Sequence, residues 1–215
     1  MTSDQAAGRA RDRLRLHRSR VTGYWLLVTL NSSRPIPTIL ALDQGTTGST
    51  ALVVGPDGRI LGRGTREIPQ HFPAPGEVEH DPEQLLQATV AAGREALAAA
   101  GVAVDAIGIT NQRETLVVWD HASLVPIGRA IVWQDRRTAA RCAELREAGH
   151  EDDIRARTGL LLDPYFSATK LEWLLRDPLL RERAEAGTLR VGTVESWLVA
   201  RLTTGLHLSD PTNSS

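Results

Sequence analysis

The chain has 215 residues, 41% hydrophobic and 24% charged, a balance that fits a soluble globular protein with a core of useful size. Its net charge of -1 removes any electrostatic case for nucleic acid or an anionic membrane as a partner. Cys142 is the only cysteine, which excludes an internal disulfide and a cysteine metal cluster and suits a reducing, cytoplasmic setting.

Residues 1–37 differ from the rest. Arg9, Arg11, Arg13, Arg15, Arg18 and Arg20 precede the apolar run VTGYWLLVTL at 21–30. The outline is that of a signal peptide, but the run contains Thr and Gly and no A-x-A-like site follows. It is also too short to span a bilayer. A disordered extension, or a start upstream of the true one, is the expectation. Attachment to a membrane or an acidic partner is the alternative.

The folded part is expected from residue 38. Residues 38–43 (TILALD) have strand length, QGTTG makes a turn, and residues 49–54 (STALVV) make the returning strand. Gly55-Pro56-Asp57-Gly58 is a second turn signal, and residues 59–68 read as a third strand of an antiparallel meander. Residues 69–80 read as a loop, whose His71 and His80 are expected to be structural or solvent-facing. A helix then starts at the N-cap Asp81, with Pro82 in the first position and Gln84 in a capping-box place, and it ends at Gly101. Strands follow at 103–110, 115–119 and 130–133. Helices follow at 136–148, 151–157, 168–176, 179–186 and 193–202. Cys142 falls at core-like spacing in the first of these and reads as a packed thiol. Lys170 is the only lysine, which reads as coding bias. Strands first, then alternation, then helices indicate a mixed α/β domain.

The hairpin tip Asp43-Gln44-Gly45-Thr46-Thr47-Gly48 carries the first chemical signal. Gly45 lets backbone approach a ligand, successive turn N–H groups can form an anion nest, and the two threonines add hydroxyls. Asp43 could hold a divalent metal that bridges phosphate oxygens. The bland reading is an ordinary turn. Neither a Walker-type P-loop nor a strand-linked G-x-G-x-x-G is present, and the protein-kinase motif set is missing.

With these residues in view, TILALDQGTTGSTALVV resembles the opening of the FGGY carbohydrate kinases, which share the ribonuclease H-like fold of actin and hexokinase. QHFPAPGEVEHD, AIGITNQRE, IVWQDRRT, TGLLLDPYF and SDPTNS extend the likeness over residues 38–215 and resemble the glycerol-phosphorylating branch. The resemblance implies ATP and Mg2+ as cofactors and transfer of the γ-phosphoryl group of ATP to glycerol. It places Gly45, Thr46, Thr47 and Gly48 at the ATP phosphates and Asp43 at the magnesium, through water. Arg113 and Glu114 become the pair gripping glycerol hydroxyls, Tyr165 a further glycerol contact and Trp133 an aromatic wall. Read alone, Arg113 and Glu114 are an ordinary surface ion pair, and the two aromatics are core.

The family usually shows Ser at the position of Gly48, Arg at that of Thr50 and Tyr at that of Pro211. The resemblance also implies a C-terminal domain absent from this chain, and assigns to it the adenine pocket and the catalytic Asp. No catalytic residue is therefore expected here, and little activity in isolation. A homo-oligomer of the complete enzyme is compatible with the resemblance. A kinase for xylulose, ribulose or gluconate, and a non-catalytic binding domain, are the alternative readings.

Overall fold

The computed structural model of the chain describes residues 26–29 and 37–213. Strands β1 (Leu26–Thr29), β2 (Ile39–Gln44), β3 (Gly48–Val54) and β4 (Ile60–Glu67) are followed by the short β5 (Glu79–His80). Helix α1 (Pro82–Ala100) leads to β6 (Ala106–Asn111), β7 (Leu116–Asp120) and β8 (Ala130–Ile131). The remainder is α2 (Ala139–Glu147), α3 (Glu151–Thr158), α4 (Ser167–Leu174), α5 (Pro178–Glu185), β9 (Leu189–Thr193) and α6 (Val194–Leu202).

Alternation along β2 and β3 sends Leu40, Leu42, Ala51 and Val53 into the core, while Asp43 and Thr50 sit side by side on the opposite face. The three strands β2, β3 and β4 form the expected antiparallel meander. Beyond α1 the chain returns as β6, parallel to β2, so that Gln44 stands opposite Asn111. The five-stranded sheet runs β1-β6-β2-β3-β4, and a second sheet runs β5-β8-β7-β9.

Helix α1 lies close on β4 because the strand offers no side chains where they touch. A Cβ at Gly62 would collide with the Ala96 carbonyl, and one at Gly64 with that of Ala92. Small residues on both partners let backbone meet backbone. The core continues through Leu85, Ala88, Ala92, Trp119, Trp197 and Leu198. The Trp119 and Trp197 rings meet at 5.6 Å, and the Trp197 indole donates to the Pro82 carbonyl at 3.1 Å, which ties α6 to the start of α1.

Several expectations change. Within residues 1–37, expected as a disordered or mis-started extension, Leu26–Thr29 pairs antiparallel with β6 as an edge strand; the rest of that stretch before Pro37 lies outside the described residues. Asp81 caps α1 through Glu83 N and Gln84 N, but no reciprocal capping box forms, because the buried Gln84 Oε1 has no partner. Thr193 is the last residue of β9 rather than the first of a helix. The short β5 lies within the expected loop, where Glu79 also bridges to His71. His80 is fully buried and Cys142 is buried as expected. Among the described residues no helix is long and apolar enough to cross a membrane.

Candidate functional site

The turn between β2 and β3 is closed by Gly45 N donating to the Gly48 carbonyl at 2.8 Å. Its outer carbonyls are held from the body of the protein: Gln70 Nε2 donates to Thr46 O at 3.1 Å and Ile68 N to Thr47 O at 3.1 Å. No described group accepts from the N–H of Thr46 or Thr47. Two adjacent amides with their carbonyls already spoken for make an anion-seeking turn. At Gly48 an added Cβ would stand 2.6 Å from the Arg66 carbonyl. The strand beside it has closed the space, so glycine at this position has a steric reason.

Beneath the turn lies a buried polar ladder. Gln112 Nε2 lies 3.1 Å from Gln44 Oε1 and 3.1 Å from His80 Nδ1. Gln112 Oε1 accepts from Thr115 Oγ1, and Thr115 Oγ1 accepts in turn from Trp133 N at 3.2 Å. Gln44, Thr115 and His80 are fully buried. Burial, helped by the charge of His71, lowers the His80 pKa to about 4, so the imidazole is neutral at pH 7. The ladder fixes the spacing between the hairpin tip and the segments after β6 and β8.

Trp133 lies in the turn after β8 and donates from its indole nitrogen to Thr46 Oγ1 at 2.9 Å. Its ring meets Tyr165 edge to face at 5.8 Å, and Tyr165 meets Phe166 at 5.0 Å. The phosphate-seeking turn and two of the residues expected at the polyol therefore share a wall. Asp43 points from the same end of β2. It opens to solvent on one side, and the protein on its other sides withdraws enough water to raise its pKa. Among the described residues no cluster of three or more ligating side chains forms. A lone carboxylate fits Mg2+ held chiefly by phosphate oxygens and water.

Arg113 and Glu114 occupy the tight turn between β6 and β7 and part company there. Arg113 is exposed and borders a cavity of about 180 Å3 with Thr110, Asn111, Thr212 and Asn213. Glu114 is buried, with a left-handed backbone at φ 65°, a conformation unfavourable for a residue with a Cβ. Its Oε2 accepts from both the amide and the hydroxyl of Ser167, at 3.0 and 2.8 Å, where α4 begins. The surface ion pair that the bare sequence allows is thus replaced by a strained, buried carboxylate.

Sequence reasoning missed several contributors. The Gln44, Gln112 and Thr115 ladder was hidden because each residue is an ordinary polar one until the strands align. Ser167 sits at a helix start, a signal of its own. The tail at 209–213 folds back onto the site: Asn213 accepts from Asn111 Nδ2 at 2.9 Å and from Thr193 Oγ1 at 3.2 Å. Asp210 shapes that tail, accepting from Thr212 N and Thr212 Oγ1, both at 2.7 Å. Glu195, buried at the start of α6, accepts from Ser209 Oγ at 3.3 Å. Burial and the charge of Asp210 raise its pKa to about 7.

Residues 38–215 match the FGGY family of carbohydrate kinases, N-terminal domain, and the chain belongs to that family. It is 54% identical over 185 residues to a glycerol kinase of Rhodospirillum rubrum, covering 84% of this chain and 37% of that protein. It is 56% identical over 182 residues to a glycerol kinase of Thermus brockianus, covering 82% and 37%. The crystal structure of Plasmodium falciparum glycerol kinase with ADP superposes with a TM-score of 0.78 at 32% identity, over 82% of this chain and 36% of that one. A gluconate kinase from Lactobacillus acidophilus, at 19% identity and a TM-score of 0.73, shares the fold. The expected kinase fold is the observed one. The chain spans well under half the length of the curated relatives it matches.

Proposed function

We propose that the chain carries the phosphate-binding turn and the polyol half-site of an ATP-dependent glycerol kinase. The hydrogen bond from Trp133 to Thr46 supports this reading most directly, because it joins the two halves at one wall. The amides of Thr46 and Thr47 face the ATP phosphates, and Gly45 and Gly48 let the turn come close to them. Asp43 holds Mg2+ through water, and the ion supplies charge neutralisation at the phosphates when bound. Arg113 donates to glycerol hydroxyls, Glu114 accepts from them, and Tyr165 and Trp133 cover the carbon face and exclude water.

In the reaction a glycerol hydroxyl gives its proton to a carboxylate as its oxygen attacks the γ-phosphorus. The bond to the β–γ bridging oxygen breaks and ADP leaves. The carboxylate that takes the proton is the catalytic Asp that the resemblance assigns to the C-terminal domain; Asp210 Oδ1 already accepts from Thr212 N, Thr212 Oγ1 and Asn213 N and shapes the tail. Residues 38–215 span well under half the length of the relatives they match, and closure around both substrates draws on that further length, so these residues by themselves turn over slowly.

Two measurements test the reading. Glycerol should raise the melting temperature of the chain where xylulose and gluconate do not; equal shifts from all three overturn the glycerol assignment. In a coupled ADP-release assay the chain should run more than about tenfold slower than a full-length relative, and a rate closer than that overturns the half-site reading.

A further inference from the structure

We infer that Lys170 is a positioning residue of the polyol half-site, its ammonium group fixing the backbone of Glu114 and of Tyr165 together; the inference rests on the polyol reading above. Lys170 lies on α4 and is fully buried. Its Nζ donates to the Glu114 carbonyl at 2.8 Å and to the Tyr165 carbonyl at 2.7 Å. One side chain thus bridges two segments that are 51 residues apart in the chain, each carrying a proposed glycerol contact.

The same helix holds Glu114 twice. Ser167, one turn before Lys170 on the same face of α4, binds the Glu114 carboxylate, and Lys170 binds its carbonyl. Glu114 is gripped at both ends while its backbone stays left-handed. A strained residue persists when its surroundings over-determine it, and here two bonds from one helix do so. Without Lys170 the peptide after Glu114 loses the partner that holds its carbonyl inward, and Tyr165 loses its link to the same point.

The chemistry of the residue type fits this task. A buried ammonium is costly unless its donors are used, and an apolar side chain of similar volume would fill the space without that cost. Every other Lys/Arg position in the chain is arginine. An ammonium is a compact head with three donors on a thin stem, whereas a guanidinium is a wide planar fork. Two carbonyls converging from different segments take the former. Glu114, Asp135 and Asp163 stabilise the charge and Arg137 opposes it, while burial outweighs them and lowers the Lys170 pKa to about 8. Even as a neutral amine the group retains two N–H donors, enough for both carbonyls.

Because it is the only lysine, Nζ labelling of the 215-residue chain with 15N gives a single signal. Saturating glycerol should move that signal and the Glu114 and Tyr165 amides, and Mg-ATP should leave the lysine signal in place. Lys170→Met should weaken glycerol at least about tenfold while Mg-ATP affinity stays within about twofold. A folded Lys170→Met that keeps its glycerol affinity overturns the inference, as does a lysine signal that stays still while glycerol binds. If the unaltered chain binds no glycerol, the polyol reading fails on its own account. The clamp is then judged by the Glu114 amide, which must move in Lys170→Met. Should that variant not fold, the lysine signal of the unaltered chain decides alone.

Discussion

The turn proposed for phosphate and the half-site proposed for polyol meet at the Trp133–Thr46 hydrogen bond and are built in opposite ways. The turn is local: six consecutive residues at the tip of a hairpin, presenting backbone amides whose carbonyls are pinned by Gln70 and Ile68. The proposed polyol half-site draws on the turns after β6 and β8 and the segment before α4, beside a cavity lined by Arg113 and the tail residues Thr212 and Asn213. A site made of backbone tolerates side-chain change as long as the hairpin holds. A site made of converging side chains depends on every element that aims them. Substitutions should therefore be far more damaging on the polyol side than on the turn.

Glu114→Ala is the strongest test of that contrast. The change removes a buried carboxylate with two Ser167 bonds and the charge that most favours the Lys170 ammonium. In an active enzyme containing this domain, kcat/KM for glycerol should fall at least a hundredfold, about 3 kcal/mol of transition-state stabilisation. KM for ATP should stay within about twofold. Steady-state kinetics with each substrate varied would break the comparison if the ATP term moved as much as the glycerol term.

The next effect concerns the tail that closes the pocket. Glu195 has its pKa raised to about 7 from 4.5. An acid whose folded pKa is raised costs stability as pH climbs between those values, because the unfolded chain has already released the proton. His80 works the other way, lowered to about 4 from 6.5, so its contribution rises with pH over that interval. The two slopes oppose each other between pH 4.5 and 6.5. Glu195→Gln removes one of them. Urea unfolding at pH 5 and pH 8 should show the variant gaining about 2–3 kcal/mol relative to the parent over that interval. Parallel pH profiles for the two proteins would remove Glu195 from the account.

How much of this was legible beforehand follows the same division. The hairpin, the Asp81 cap, the Gly101 stop and the meander were readable because each depends on neighbours within a few residues. Edge strand β1 was not, since Leu26–Thr29 (LLVT) pairs only where β6 offers its edge. Strand β9 was hidden because TLRVGT runs directly into α6, and Thr193 serves both. Within the site, Asp43, Thr46 and Thr47 could be proposed from spacing alone. Glu114 was named as half of an ion pair, and its burial, its φ and its Ser167 partner are tertiary facts. Lys170 reads in the sequence only as the single lysine, and its burial is again a tertiary fact.

Thr46→Val probes the joint between the two halves. The swap keeps the shape of the side chain and removes the oxygen that accepts from Trp133 Nε1. Trp133 is half-buried, so its indole nitrogen can recover part of the loss from water. The cost should be about 1 kcal/mol of stability, accompanied by a change in indole fluorescence. Glycerol affinity should drop a few-fold if the wall is shared and stay constant if the two halves are independent.

Arg136→Ala should be the mildest change, and it guards the comparison against trivial agreement. Arg136 bridges to Asp163 at 3.1 Å, connecting the QDRR segment to the DPYF loop that carries Tyr165. By position it looks like a part of the polyol assembly. Both side chains are largely exposed, at 56% and 41%, so water and salt screen the pair and side-chain entropy opposes it. The buried Thr138–Thr169 hydrogen bond and the Arg137 guanidinium over the Trp173 ring still join the QDRR segment to α4. Loss of Arg136 should shift stability by less than about 0.5 kcal/mol, with glycerol affinity unchanged. A large loss would mean that the loop before α4 is held from the surface rather than by Lys170 and the buried pairs, and the polyol half would then be as local in its construction as the turn.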